Sequence, residues 1–276
     1  MTRTARRTGR PIQVAALGAA ALLALSACSS SDSDSSSTKS DSSASASAPE
    51  KVSGTVTVFA AASLKESFTT LGKEFEKAHP GTKVTFSFGG SDSLAASITG
   101  GAPADVFASA SPKTMAIVTD AGDASGTPAT FVRNQLEIAT LPGNPDRIAS
   151  LKDLTRSSLK VVLCDRTVPC GAAAQKALDA GRLKLTPVSY EQDVKAALTK
   201  VELKEADAAV VYKTDVHAAG DKVEGVEFPE SADAVNEYPI VQLKDTKNAG
   251  AASAFIALVR SAEGQKVLTE AGFLKP

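Results

Sequence analysis

Twice within its first hundred residues the chain runs from a strand-like stretch through a turn of small residues to a serine that opens a helical pattern. The first passage is Val56-Thr57-Val58-Phe59-Ala60-Ala61-Ala62-Ser63-Leu64, and the second is Val84-Thr85-Phe86-Ser87-Phe88-Gly89-Gly90-Ser91-Asp92-Ser93-Leu94. Strands that turn directly into helices restrict the chain to an α/β architecture with a largely parallel, covered sheet. The turns also carry chemistry. The first N–H groups of a helix lack intrahelical partners and bear partial positive charge, so each turn makes a seat for an anion with a hydroxyl beside it.

The alternation persists. Strands are expected at Lys83–Phe88, Asp105–Ser109, Gln135–Thr140, Lys160–Cys164, Asp207–Tyr212, Val226–Phe228 and Tyr238–Leu243, with helices from Ser91, Pro112, Leu151, Gly171, Glu191, Thr214, Asn248 and near Ser261. In the first helix Leu64, Phe68, Leu71 and Phe75 share one face, charged residues surround the other, and His79-Pro80-Gly81 is a stop signal. The segment after Gly54 spans about 220 residues, comfortable for two domains.

The N-terminus reads as an export signal. Arg3, Arg6, Arg7 and Arg10 precede the apolar stretch Ile12 to Ala27, which is short for a membrane span and closes on small residues. Its end, Leu25-Ser26-Ala27-Cys28, resembles the lipobox of bacterial lipoproteins, which implies a signal peptide over 1–27 and a lipid on Cys28. Residues 28–53 are dominated by serine and offer almost nothing to bury, the composition of a disordered tether. The expected location is outside the cell, lipid-anchored to the outer face of the cytoplasmic membrane, with that lipid as the only membrane contact.

Removing the leader takes four of the 30 Lys and Arg residues and none of the 31 Asp and Glu, for a net charge of about −5. That balance argues against nucleic acid or an anionic bilayer as a partner. An anion site in such a chain has to be local, built from hydroxyls and backbone dipoles.

Cys28 aside, Cys164 and Cys170 form an even pair in an oxidising compartment, flanking a loop short enough to bridge. A disulfide there is worth roughly 2 kcal/mol by loop entropy. A redox-active pair is the alternative, although the Cys-x-x-Cys spacing is missing. His79 and His217 have no ligand spacing for a metal and form no motif with a nucleophile, and both read as surface residues. No catalytic residue is assigned, and no cofactor.

Ser63 has two readings. Ser63-Leu64-Lys65-Glu66 fits a capping box, and a hydroxyl at a helix mouth also stands beside the N–H groups that an anion would use. Ser91 and Ser93 have the same pair of readings. A third helix mouth is Val168-Pro169-Cys170-Gly171-Ala172; Asp193-Val194 starts another helix, and Tyr212 closes a strand as either a packing residue or a ligand-facing phenol.

Taken in order, these segments resemble a known family. Phe59-Ala60-Ala61-Ala62-Ser63-Leu64, Gly90-Ser91-x-Ser93-Leu94, Gly101-Ala102-Pro103-Ala104-Asp105-Val106-Phe107-x-Ser109-Ala110, Val168-Pro169-Cys170-Gly171, Asp193-Val194, Val210-Val211-Tyr212 and Glu237-Tyr238-Pro239 are similar to the periplasmic molybdate-binding proteins of ABC importers. The resemblance implies a two-domain Venus-flytrap fold, periplasmic-binding-protein-like, each domain a mostly parallel sheet flanked by helices. It implies domains at 55–131 plus 239–276 and at 132–238, with molybdate or tungstate in the cleft between them.

Carried over residue by residue, the implied ligands are the Ser63 and Ser91 hydroxyls with nearby N–H groups, the backbone N–H groups of Cys170 and Val194, and the Tyr212 hydroxyl. Molybdenum would then be held only as its oxyanion. Cys170 stands where a member of that family has alanine, a change that preserves a backbone donor, and the Cys170–Val194 spacing is slightly short. The implied partners are the oxyanion and an ABC importer membrane permease, for a monomer. A fully deprotonated tetrahedral dianion only accepts hydrogen bonds, so a cleft of donors satisfies it, whereas a protonated phosphate needs an acceptor. The alternatives are the same fold binding sulfate, phosphate or a small organic anion, or an exported thiol redox protein.

Overall fold

The computed structural model describes residues 52–276. The expected leader, the lipidation site Cys28 and nearly all of the tether lie outside the described residues. Two five-stranded sheets organise the rest. In the first, β1 (Gly54–Ala61), β2 (Thr82–Gly89) and β3 (Val106–Ala108) pair in parallel. β10 (Asn236–Leu243) runs antiparallel to both β3 and β4 (Ala124–Asn134), giving the order β2-β1-β3-β10-β4.

The second sheet has the order β7-β6-β8-β5-β9. β6 (Val161–Cys164), β7 (Ser189–Glu191) and β8 (Ala208–Tyr212) are parallel, while β5 (Leu136–Thr140) opposes both β8 and β9 (Glu224–Val226). One strand is therefore reversed in each sheet and the others share a direction, as the expected α/β class requires.

Helices α1 (Lys65–Ala78), α2 (Ser91–Thr99), α3 (Pro112–Asp120), α7 (Ala249–Arg260) and α8 (Ala262–Glu270) pack with the first sheet. α4 (Pro169–Ala180), α5 (Val194–Glu202) and α6 (Lys213–Ala219) pack with the second. Periodicity explains the layering. Val56, Val58 and Ala60 alternate inward along β1 and meet Phe68, Leu71 and Phe75 from one stripe of α1. The Phe255 ring meets both Phe68 and Phe75 nearly edge-on, at 5.9 and 5.6 Å between centroids. Burying each such side chain contributes about 1.5–3 kcal/mol. Among the described residues, no helix is long and apolar enough to cross a membrane.

Several expectations need correction. β4 and β7 are additional strands: β4 contains Gly126 and Pro128, which read as turn residues, yet it is an edge strand whose pairing with β10 is broken by register shifts that accommodate them. The helix expected from Glu191 starts at Val194, because Glu191 pairs with Cys164 in β7. The helix expected from Leu151 is one short 3-10 segment, Leu151–Thr155. β9 ends at Val226, where the expected strand began. His79 is half-buried against the Phe75 ring, while His217 is exposed as expected.

The chain passes between sheets twice. Gln135 alone separates β4 from β5, and β10 brings the chain back, with Asn236 in register opposite Asn134. The two crossings thus lie side by side and set the ends of both sheets toward a common gap.

Candidate functional site

A cavity of about 20 Å³ lies in that gap, lined by residues of both sheets' connections. It is far below the roughly 300–1,000 Å³ that pockets for drug-sized organic ligands occupy, and of the scale of one small ion. Ser63, Ser91, Cys170, Val194 and Tyr212 all line it, so the structure brings together the five residues the resemblance implied as ligands, while Ser93 is exposed and does not line it.

The walls are helix mouths. After β1 the chain makes a 3-10 turn, Ala62–Leu64, before α1, which places Ser63 in the tight turn and not at the helix cap. The expected capping box is therefore absent here. The residue capping α1 is the apolar Leu64, Ser63 Oγ is hydrogen-bonded with Tyr238 Oη at 2.8 Å, and Glu66 turns to Lys195. Ser91 is likewise not a cap: Gly90 holds that position, and Ser91 Oγ accepts the N–H of Ala110 at 3.0 Å. Gly90 is required by close approach, since a Cβ there would fall 2.6 Å from the Gln192 carbonyl oxygen across the gap.

The second sheet supplies two more mouths. α4 opens with Val168 as cap and Pro169 in its first turn, leaving the early N–H groups that include Cys170 beside the cavity. Cys164, at the end of β6, is disulfide-bonded to Cys170 with 5.8 Å between Cα atoms, which ties this mouth to its strand. Both cysteines are buried. Gly171 is obligatory, because a Cβ would sit 1.9 Å from Asp165 O. α5 is capped by Asp193, whose Oδ1 accepts the Ala196 N–H at 2.9 Å, and Val194 follows as its first residue.

Tyr212, at the end of β8, is fully buried, and Asn236 Nδ2 donates to its hydroxyl at 2.8 Å. Burial holds the Tyr212 phenol well above its ordinary pKa, with Tyr238 and Asp215 adding to the shift, so it stays a neutral donor. Sequence reasoning did not single out Asn134, Asn236 or a role for Tyr238. Asn134 Nδ2 donates to Thr214 Oγ1 at 2.8 Å and to Tyr238 Oη at 3.3 Å.

Among the described residues, the cavity lining contains no lysine, arginine or histidine, and its one carboxylate is the capping Asp193. Lys195, which follows Val194 on α5, serves another purpose. Its Nζ is 2.9 Å from Glu66 Oε2 on α1 and 3.1 Å from Asp215 Oδ1 on α6, so it joins the helices of the two sheets. Burial lowers the Lys195 pKa, but Asp215 and Glu66 outweigh it and the net shift is upward. Burial raises the Asp215 carboxyl to about 6 against the downward pull of Lys195. Among the described residues, no group of three or more His, Cys, Asp or Glu side chains is placed to hold a metal ion. What the arrangement can do is surround a small acceptor with N–H and O–H donors contributed by both sheets.

Two α/β halves, linked by adjacent crossing strands and facing each other over a donor-lined cavity, define a binding protein of the two-lobed solute-capturing class. The chain belongs to the family of bacterial extracellular solute-binding proteins, whose profile matches residues 56–274. It is 44% identical to the molybdate-binding protein ModA of Mycobacterium tuberculosis, over 83% of this chain and 87% of the relative. The substrate-binding domain of a putative molybdenum ABC transporter from Clostridium difficile is 31% identical, with a TM-score of 0.61, over 81% of this chain and all of that one.

Two more distant structures share the fold, each with a TM-score of 0.68 and covering 80% of this chain. The periplasmic molybdate-binding protein of Azotobacter vinelandii is 21% identical and covered over 99% of its length. The sulfate-binding protein SubI of Mycobacterium tuberculosis is 20% identical and covered over 86%.

Proposed function

We propose that this protein captures molybdate, and tungstate with it, in the cavity between its two sheets and delivers it to the permease of an ABC importer. The observation that carries the reading is the composition of the cavity wall: helix mouths, three hydroxyls and the helix-capping Asp193, with no cationic side chain among the described residues that line it. Such a wall suits an anion that accepts at every oxygen. The 44% identity to a molybdate-binding relative supports the choice of ion, which the shared fold with a sulfate-binding protein leaves open.

In this reading the ligands are the Ser63, Ser91 and Tyr212 hydroxyls and the N–H groups of Cys170 and Val194. The protein is a monomeric binding protein without cofactor or catalysis. Residues 55–131 with 239–276 form one lobe and 132–238 the other. Cys28 carries the lipid that holds the protein at the outer face of the cytoplasmic membrane.

Calorimetric titration with molybdate, tungstate, sulfate and phosphate tests the reading. Molybdate and tungstate should bind tightly, sulfate more weakly because a cavity fitted to a larger ion stretches its hydrogen bonds, and phosphate least. At a thousandfold its dissociation constant, molybdate should add about 4 kcal/mol to stability. A protein that is stabilised by sulfate or phosphate and not by molybdate refutes the assignment.

A further inference from the structure

Each hydroxyl in the cavity wall is also held from behind. Ser91 Oγ accepts from the backbone at Ala110. The other two lead to Asn134 and Asn236, buried partners in register where the crossing strands β4 and β10 meet. The direction of the Asn236 amide is fixed by carbonyl groups. Its Nδ2 lies 2.8 Å from Ala110 O and 3.5 Å from Pro169 O, and a carbonyl oxygen can only accept, so the NH₂ end must face them. The same NH₂ reaches Tyr212 Oη at 2.8 Å. The phenol is therefore the acceptor there, and its own hydrogen has two places to go, the cavity that Tyr212 lines and the Tyr238 hydroxyl beside it.

Asn134 acts through one more residue. Its Oδ1 accepts the Gln135 N–H at 3.0 Å, which fixes that amide as well, and its Nδ2 donates to Tyr238 Oη. Tyr238 Oη and Ser63 Oγ share a hydrogen bond at 2.8 Å that either can donate; when the Tyr238 hydrogen goes to Ser63 Oγ, the Ser63 hydrogen is left for the cavity. The Tyr212 and Tyr238 rings meet edge-on at 6.1 Å, which packs the two relays against each other. Asp193, the carboxylate in the lining, has Oδ1 on its own helix.

We infer that Asn134 and Asn236 are positioning residues that make the Ser63 and Tyr212 hydroxyls donors toward the ligand, and that this polarity selects oxyanions without a proton over those that retain one, such as hydrogen phosphate. The inference rests on the oxyanion reading of the cavity. It adds the residues that enforce the preference and the direction in which they do so.

Asn236→Asp supplies the test. A carboxylate cannot donate, so Tyr212 must turn its hydrogen to position 236 and present a lone pair to the ligand. The added charge weakens every anion, so the quantity to read is a ratio, the affinity for molybdate over that for phosphate at neutral pH, obtained by calorimetry and competition. That ratio should fall at least tenfold in Asn236→Asp, and the fall should vanish when Tyr212→Phe removes the hydroxyl that is being turned. Equal weakening of both anions, or a shift in ratio that persists without the Tyr212 hydroxyl, overturns the inference. If Asn236→Asp does not fold, as judged by its melting curve, Asn134→Asp is read in the same way, with Ser63→Ala as the background that should abolish the effect. A wild-type protein that takes sulfate in preference to molybdate removes the molybdate assignment alone, and sulfate then replaces molybdate in the ratio. A wild-type preference for phosphate over both removes the inference as well.

Discussion

Replacing Lys195 with Met removes the cation that, among the described residues, bridges helices of the two sheets. Its Nζ serves two carboxylates of different worth. The Glu66 side chain is 49% exposed, and losing its contact at 2.9 Å should cost no more than about 1 kcal/mol. Asp215 is 0% exposed, and stripping a buried carboxylate of its partner costs about 3–5 kcal/mol. The loss must depend on pH, and its sign follows from linkage. Burial raises Asp215 to about 6, so between about 4 and 6 the folded state holds a proton that the unfolded chain has released. Stability from this group is fully present below that window and is lost as pH rises through it. Without Lys195 the downward pull disappears, the carboxyl titrates higher still, and the loss extends past neutrality. Urea unfolding of Lys195→Met should show a cost that is small near pH 5 and grows through pH 7 to pH 8. Adding Asp215→Asn should recover most of the loss, because an amide oxygen can still accept the Tyr212 N–H that Asp215 now accepts. A cost below 1 kcal/mol at pH 7, or the same cost at pH 5 and pH 8, would show that this triad does not work as described.

Ser63→Ala and Ser91→Ala should each weaken molybdate binding by roughly 1.5–3 kcal/mol, the range for a hydrogen bond to a charged group; titration in which stability falls and affinity does not would make both serines merely structural. Gly171→Ala places a Cβ 1.9 Å from Asp165 O, so the start of α4 must shift, and both melting temperature and affinity should drop, with an overpacking cost of about 1–3 kcal/mol. Unchanged behaviour on both measures would mean that the mouth of α4 does not form part of the site. The double change Cys164→Ala with Cys170→Ala should lower stability by about 2 kcal/mol while the protein still binds, since the donor at Cys170 is a backbone N–H. Complete loss of binding in a folded double variant would place the sulfur chemistry, and not the helix mouth, at the centre of the site.

How far the sequence could be read depended on the range of the interaction concerned. The passages β1 to α1 and β2 to α2 are local, with alternation giving way to a 3.6-residue period across one small-residue turn, and they were legible to within a residue or two. β4 was not, because Gly126 and Pro128 break the local pattern and the strand is held by long-range bonds, the irregular pairing with β10 more than a hundred residues on and a bridge from Arg133 to Leu274. The start of α5 was misplaced for the same reason, since Glu191 is recruited to β7 by Cys164 across the sheet.

The site divides along the same line. Ser63 and Ser91 could be found as helix-mouth serines, but the capping box at Ser63 was the wrong local reading, because Tyr238 takes its hydroxyl from 175 residues away. Asn134 lies just before the strand expected from Gln135, and Asn236 just before the one expected from Tyr238. Neither shows any signal in isolation. Their chemistry appears only when β4 and β10 lie in register, at which point each amide must choose between acceptors and, in choosing, sets the direction of a hydroxyl in the cavity. Backbone N–H groups at a helix mouth can only donate, whatever surrounds them. A hydroxyl can do either, so a site that mixes the two needs fixed neighbours behind each hydroxyl to behave as a single-polarity surface. The buried crossing strands are where such neighbours can be held, because they belong to both halves at once.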